Sequence, residues 1–280
     1  MTGSVKKLIP LPVKQRIKKI RNRLANRHRT RLFRALAPLV PGVEDMFDGP
    51  QSMEEFKRNG DEFLEIYTQV CGLQPDEKML DVGCGIGRKT LPLTQYLNEN
   101  AVYEGIDITK MGIDWCRERI TPRYPNFHFQ HIDVYNKHYN PSGKVQPSQY
   151  KFPYADEFFT FVMLGSVFTH MSPDDVENYL SEVYRVLRKG GRCLITYFLL
   201  NEESLRRIEV GESTLDLGYV SDKYRTISLD VPEQAIAFDE GWIRDLYGKL
   251  GLGITRIDYG SWCARARYHS YQDLILGKKD

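Results

Sequence analysis

Short apolar blocks alternate with segments whose apolar residues recur every three or four positions, and the alternation runs from about residue 52 to residue 277. The blocks read as buried strands and the periodic segments as helices. Phe56, Phe63, Leu64, Tyr67 and Val70 supply one apolar face of a helix. It opens at Ser52, with Glu55 in the capping-box position, and ends near Cys71-Gly72. Met79-Leu80 leads a strand into a glycine turn, and the pattern predicts a helix over 88–97. Val102–Ile108 and Phe127–Ile132 are the next strands, separated by a helix over about 110–120. Residues 158–164 are almost wholly apolar, which suits a central parallel strand buried on both faces. Ser172, Pro173 and Asp175 open a helix that runs to Arg188 and stops at Gly190-Gly191. Arg192–Leu200 reads as a fifth strand, 240–250 as a helix, 253–259 as a sixth strand and 271–277 as a seventh. This order predicts an α/β fold: a Rossmann-like, doubly wound, seven-stranded sheet, mostly parallel with an antiparallel last strand.

Two stretches interrupt the alternation. Residues 134–156 are rich in Tyr, Pro and Gln and are long for a connection. Residues 201–238 hold Asn201, Tyr219, Tyr224 and several acids, and read as an inserted lid or recognition segment. Ahead of the alternation, Val13, Ile17, Ile20 and Leu24 recur at helical spacing among Lys and Arg residues. Pro38, Pro41, Gly42, Gly49 and Pro50 then mark a linker. The expected organisation is a basic amphipathic helical arm and linker over 1–50, followed by one domain over 51–280.

Charge sharpens this division. Twelve of the 39 Lys and Arg lie in residues 1–40, with no Asp or Glu among them, which leaves 27 basic against 37 acidic residues in the rest. A basic amphipathic helix fits an anionic membrane surface. Docking on its own domain, RNA binding and an organellar transit peptide are its rivals, although scant aromatic interleaving weighs against nucleic acid. The five cysteines are scattered and form no C-x-x-C, so neither a zinc site nor a disulfide framework is suggested and a reducing compartment fits. The expected location is cytoplasmic, peripheral at the inner membrane face.

The glycine turn carries the chemistry. Asp81-Val82-Gly83-Cys84-Gly85-Ile86-Gly87 follows a strand and precedes a helix, which makes a nucleotide-type cradle. The third glycine comes one residue too early for the dinucleotide fingerprint G-x-G-x-x-G, and Arg88 takes its place. Asp81 would repel a pyrophosphate but can accept bonds from a cationic ligand end. A strand-end acid, Asp107, stands 20 residues past Gly87, where it can accept from both ribose hydroxyls, and Asp133 ends the third strand.

D-x-G-x-G-x-G, the acids at 107 and 133, the segment Leu164–His170 and the turn Leu187-Arg-Lys-Gly-Gly-Arg192 together resemble a bacterial class I S-adenosylmethionine (SAM)-dependent methyltransferase over about 52–277. Ser166-Val167-Phe168-Thr169-His170 after strand four, together with the basic N-terminal arm, is similar to methyltransferases of glycan and secondary-metabolite assembly. The resemblance implies SAM as cofactor, held by Asp81, Gly83, Cys84, Gly85, Gly87, Asp107, Ile108, Asp133, Val134 and Leu164. Phe56 or Gly60 on the preceding helix is a further contact it implies. His170 is the general-base candidate at the expected mouth of the site, with Tyr197 and Asn201 as weaker substrate-positioning candidates. A helix-preceding histidine that only bonds backbone, and a core aromatic, are the bland alternatives for His170 and Tyr197. His128 and His131 read as structural.

Positions 163–171 lack the carboxylate cluster of a divalent-metal enzyme and the acid-Pro-Pro-aromatic pattern of base-directed enzymes, so no metal is expected. The expected activity is O-methylation of a small molecule, sugar or lipid-linked glycan. The alternatives are an RNA methyltransferase with the arm as clamp, a non-catalytic membrane or RNA-binding module, and a nicotinamide oxidoreductase.

Overall fold

The computed structural model describes residues 36–47 and 49–280, so the basic helix read over 13–24 lies outside the described residues. The first long helix, α1 (Met53–Glu65), starts where expected: Ser52 accepts from the Glu55 N–H. It continues into a π-turn over Ile66–Val70.

Next come β1 (Lys78–Val82), α2 (Thr90–Leu93), β2 (Val102–Asp107), α3 (Lys110–Arg119), β3 (Phe127–His131), β4 (Phe159–Leu164), α4 (Pro173–Val186) and β5 (Leu187–Tyr197). After β5 follow β6 (Leu199–Leu200), α5 (Glu202–Glu209), β7 (Tyr219–Val220), β8 (Tyr224–Thr226), β9 (Ile236–Asp239), α6 (Glu240–Leu250), β10 (Leu252–Asp258) and β11 (Asp273–Lys279).

Seven strands form the main sheet in the order β10-β11-β5-β4-β1-β2-β3. β3, β2, β1, β4 and β5 run parallel, and β11 runs antiparallel to both of its neighbours, as the residue pattern predicts. β4 is buried along its whole length. Its Val162 and Leu164 pack on one face of the sheet, and Phe161 and Met163 on the other. Covering both faces explains why its sequence is an almost wholly apolar run rather than an alternation.

Three elements depart from the sequence reading. The helix expected over 88–97 is only one turn long. Pro92 removes a backbone donor there, and the chain closes instead through short turns, Gln95 N–H to Pro92 O at 3.1 Å and Tyr96 N–H to Leu93 O at 3.0 Å. The fifth strand begins at Leu187, not Arg192. The Gly190-Gly191 turn is absorbed as a bulge, because Leu187 pairs with Phe159 and Arg192 with Phe161. The same strand ends at Tyr197, so Leu199-Leu200 leave the main sheet.

Those two residues found a second sheet, ordered β6-β9-β8-β7, whose other strands come from the insertion 201–238 and its end. The insertion is therefore a small folded unit. Asn201 serves it as a helix cap, its side chain accepting from the Ser204 N–H at 3.1 Å. The long connection 134–156 is likewise tied down. Glu182 and Arg185 on α4 bond the Phe152 N–H and carbonyl, at 2.7 and 3.0 Å, and Asn178 bonds the Pro147 carbonyl at 2.7 Å. No helix among the described residues is long and apolar enough to cross a membrane.

One carboxylate joins the two sheets. Asp273, wholly buried at the start of β11, accepts from the Leu199 N–H (2.7 Å), the Gly260 N–H (2.6 Å), Trp262 Nε1 (2.7 Å) and Arg265 Nη1 (3.1 Å). Burial pushes its carboxyl up to about 6 against the pull of those donors, so it is ionised at neutral pH. Asp273→Asn turns an amide group toward donors and strips the buried Arg265 of a counter-charge. A loss of about 3–5 kcal/mol is expected, read as a lower urea midpoint. Lys110→Ala, which breaks an ion pair lying in solvent, should leave that midpoint in place.

Candidate active site

The carboxyl ends of the parallel strands open onto a cavity of about 370 Å³, within the range of small-molecule sites. Each wall follows from local chain geometry. At the end of β1 the chain turns through Gly83 and Gly85, with φ of 79° and 58°. A Cβ on Gly83 would lie 2.4 Å from Val167 Cγ2, so the turn and the segment after β4 approach this closely only without a side chain. Asp107 ends β2 and closes the turn from the side. Its Oδ2 accepts from the Gly85 N–H at 2.8 Å and its Oδ1 from the Thr109 N–H at 2.6 Å. Both Asp107 oxygens are thereby held in a fixed orientation at the cavity wall.

Of the residues singled out in the sequence, Gly83, Gly85, Asp107, Ile108, Val134 and His170 meet on the cavity wall. The others lie elsewhere. Asp81 is fully buried beneath the turn, off the wall; its Oδ2 accepts from Tyr103 Oη at 2.7 Å and its Oδ1 has no hydrogen-bond partner among the described residues. Burial raises its pKa, and the Lys89 cation opposes the rise. Cys84 and Gly87 pack inward, Cys84 in the sheet core and Gly87 over Cys116. Leu164 is core. Asp133 turns outward to Lys144, at 3.4 Å, with its side chain 44% exposed, and its neighbours Ile132 and Val134 form the wall instead. Tyr197 is buried with its hydroxyl 3.0 Å from that of Tyr247. Asn201 lies beyond the cavity, bonded to Glu240 at 2.9 Å. Phe56 packs among Leu36, Leu39, Ile86 and Leu91, and Gly60 lies against the Arg88 carbonyl. His128 bonds Glu104 at 3.0 Å, and His131 bonds the Ile108 carbonyl at 3.2 Å.

The wall also holds Ser166 of the segment after β4, and residues to which the sequence pattern gave no role, including Phe47, Arg88, Lys89, Asn136, Tyr139 and Gln272. Arg88 and Lys89 had one signal, their position directly after the glycine turn. Gln272 had none, being more than 100 residues from Ser166 beside it.

His170 is held from two sides. Asn136 donates to its carbonyl at 2.9 Å, and its Nδ1 lies 2.7 Å from the Glu233 carbonyl of the insertion. A carbonyl only accepts, so in the neutral ring Nδ1 carries the proton and Nε2 the lone pair. Burial lowers the His170 pKa below its ordinary value, against the pull of the Glu233 and Gln234 carbonyls. Tyr139 meets the ring edge-on at 5.2 Å.

The cavity suits a ligand with a diol, an anionic end and an apolar base. Asp107 would take the diol, Arg88 and Lys89 supply positive charge beside the turn, and Ile108, Ile132 and Val134 form an apolar wall. Residues 80–195 match the family model described as methyltransferase domain. The chain is 30% identical over 126 residues to the demethylmenaquinone methyltransferase of Alkalihalophilus pseudofirmus, covering 44% of this chain and 47% of that one. It is 26% identical over 206 residues to the mouse arsenite methyltransferase, covering 72% and 46%. The chain thus spans less than half the length of either relative. In fold it resembles the magnesium protoporphyrin IX methyltransferase of Synechocystis PCC 6803, solved with bound SAH. There the TM-score is 0.53 at 15% identity, over 95% of this chain and all of that one.

The lowered pKa of His170 has a signed consequence for stability. The unfolded imidazole titrates near about 6.5, and the folded one lower. Between those values the unfolded chain binds more protons, so His170 subtracts stability as pH falls through that window and adds no pH dependence above it. Urea unfolding at a series of pH values should therefore show a shallower acid-side slope, just below about pH 6.5, in His170→Gln than in the wild type.

Proposed function

We propose that this chain, whose residues 80–195 match the methyltransferase-domain family, is a class I SAM-dependent methyltransferase that methylates a hydroxyl of a small molecule, sugar or lipid-linked glycan, with His170 as general base. One observation carries the reading: a single cavity is lined both by the Asp107 cradle and by the His170 imidazole, whose Nδ1 is engaged by the Glu233 carbonyl. SAM, the cofactor of this family, supplies a methyl already activated on a sulfonium. The protein's part is to hold it, align the acceptor and remove one proton.

Asp107 accepts the ribose hydroxyls, while the Gly85 and Thr109 N–H groups keep its carboxylate fixed. Arg88 and Lys89 face the amino-acid end of the cofactor, where a carboxylate needs a cation. Ile132 and Val134 flank the adenine. His170 Nε2 takes the acceptor's hydroxyl proton as the O–C bond forms. The Glu233 carbonyl keeps the ring in the tautomer able to do so, and burial keeps it uncharged at neutral pH. The basic arm, read from sequence alone, adds an anionic membrane surface as the place of reaction. Each Lys or Arg at such a surface contributes about 1 kcal/mol.

Two substitutions separate binding from chemistry. Asp107→Ala should weaken SAM binding by about tenfold to a hundredfold in calorimetry, from the loss of buried bonds to an ion. His170→Ala should keep SAM affinity and lower the rate of label transfer from methyl-labelled SAM, with a lysate of the source organism as acceptor, by about 10²–10⁴. Normal turnover in His170→Ala removes it as the base. For the arm, the full chain should float with phosphatidylglycerol vesicles at low salt, and Lys18→Glu with Lys19→Glu should lower the floating fraction.

A further inference from the structure

One cavity side chain has no task in the reaction as described so far. Gln272 lies just before β11, across β5, β4 and β1 from Asp107. Its Oε1 accepts from Ser166 Oγ at 2.9 Å and from Thr196 Oγ1 at 2.6 Å. Thr196 Oγ1 itself accepts the Ser166 N–H at 2.7 Å, so its own proton goes to the amide oxygen. Both lone pairs of Oε1 are thereby filled. Nε2, with two N–H donors, has no partner among the described residues, and Gln272 lines the cavity.

This clamp is built against local backbone preference. Ser166 sits at φ 64°, a left-handed conformation that side chains other than glycine rarely adopt. That conformation accompanies a Ser166 N–H directed at Thr196 and a hydroxyl directed at Gln272. The backbone on the other side is equally constrained. Trp262 N–H donates to the Tyr271 carbonyl at 3.0 Å, and Gly260 runs so close that a Cβ there would lie 2.4 Å from the Gln272 carbonyl carbon. Three strands, β4, β5 and β11, thus converge to fix the orientation of one amide.

We propose that Gln272 is an acceptor-binding residue. Its Nε2 donates to an oxygen of the methyl acceptor next to the oxygen whose proton His170 removes. The site then selects acceptors with two neighbouring oxygens, such as a diol, a sugar ring or a hydroxy-carbonyl group. Ser166 and Thr196 are positioning residues for that amide. The assignment rests on the methyl-transfer reading above.

The test uses the full chain, methyl-labelled SAM and serial dilutions of a lysate of the source organism as acceptor pool. Gln272→Glu keeps an oxygen for the two hydroxyls and replaces the donor with a negative acceptor. Gln272→Met keeps the length and removes the donor. Each should raise the apparent KM for the lysate by about tenfold or more, with SAM affinity unchanged by calorimetry. A wild-type apparent KM in either folded variant overturns the assignment, as does a fall in SAM affinity that accounts for the lost activity. A wild type that transfers no label to any pool overturns the methyl-transfer reading and this assignment with it. An active wild type with indifferent variants overturns this assignment alone.

Discussion

A buried ammonium holds the two halves of the cavity together. Lys89 is 7% exposed, and its Nζ donates to the Gly165 carbonyl at 2.9 Å. That bond links the turn after β1 to the end of β4, and β4 is the neighbour of β1 in the sheet. A cation this far from water needs negative charge nearby. Asp81, wholly buried under the same turn, supplies it, and its own titration is pulled down by Lys89 against burial. The two charges come from one nine-residue stretch, so the glycine turn is folded around a buried acid and a buried base of its own. The spacing this sets is tight: Gly83 meets Val167 where a Cβ would be 2.4 Å away.

The opposite wall is built differently. His170 is fixed by a side chain from the 134–156 connection and a carbonyl from the insertion, Asn136 and Glu233. Lys137 also reaches across to the Asp230 carbonyl. Neither segment belongs to the main sheet, but each is anchored to it. The connection hangs on Glu182 and Arg185 of α4, and the insertion leaves β5 at the point where Asp273 captures the Leu199 N–H. The imidazole therefore reports on the folding of two peripheral segments, whereas Asp107 depends only on the sheet and the turn beside it.

This difference explains what could be read from the chain before its structure. The sheet was legible because its strands announce themselves locally, β4 by six apolar residues among the seven of 158–164 and the turn by alternating glycines. Asp107 was legible because it ends a strand and bonds the turn next to it. The position of an acid along a strand does not give its side, however. Side chains alternate across an extended chain, so beyond β3 Ile132 and Val134 face the cavity and Asp133 faces Lys144. Tyr197 illustrates the same limit at the end of β5, where Thr196 reaches Gln272 while Tyr197 meets Tyr247. Gln272 was illegible for another reason: its meaning arises only where three strands distant in sequence come together. The second sheet escaped because its strands are two to four residues long, too short for a period to show.

Burial sets a compromise for the proposed base. Lowering the His170 pKa keeps the ring neutral at working pH, yet it also makes the ring a weaker proton acceptor. The two backbone carbonyls limit the loss by favouring the protonated form. In the proposed reaction a weak base suffices, because the hydroxyl becomes acidic only as its oxygen bonds the incoming methyl, and the proton is then transferred downhill. What the reaction demands instead is alignment, since the acceptor oxygen must approach in line with the breaking sulfur–carbon bond. In the proposed reaction that demand would be met by an imidazole held by two segments and an amide held by two hydroxyls, both lining the one cavity. In the same proposal the left-handed Ser166 is the residue that ties this amide to the end of β4.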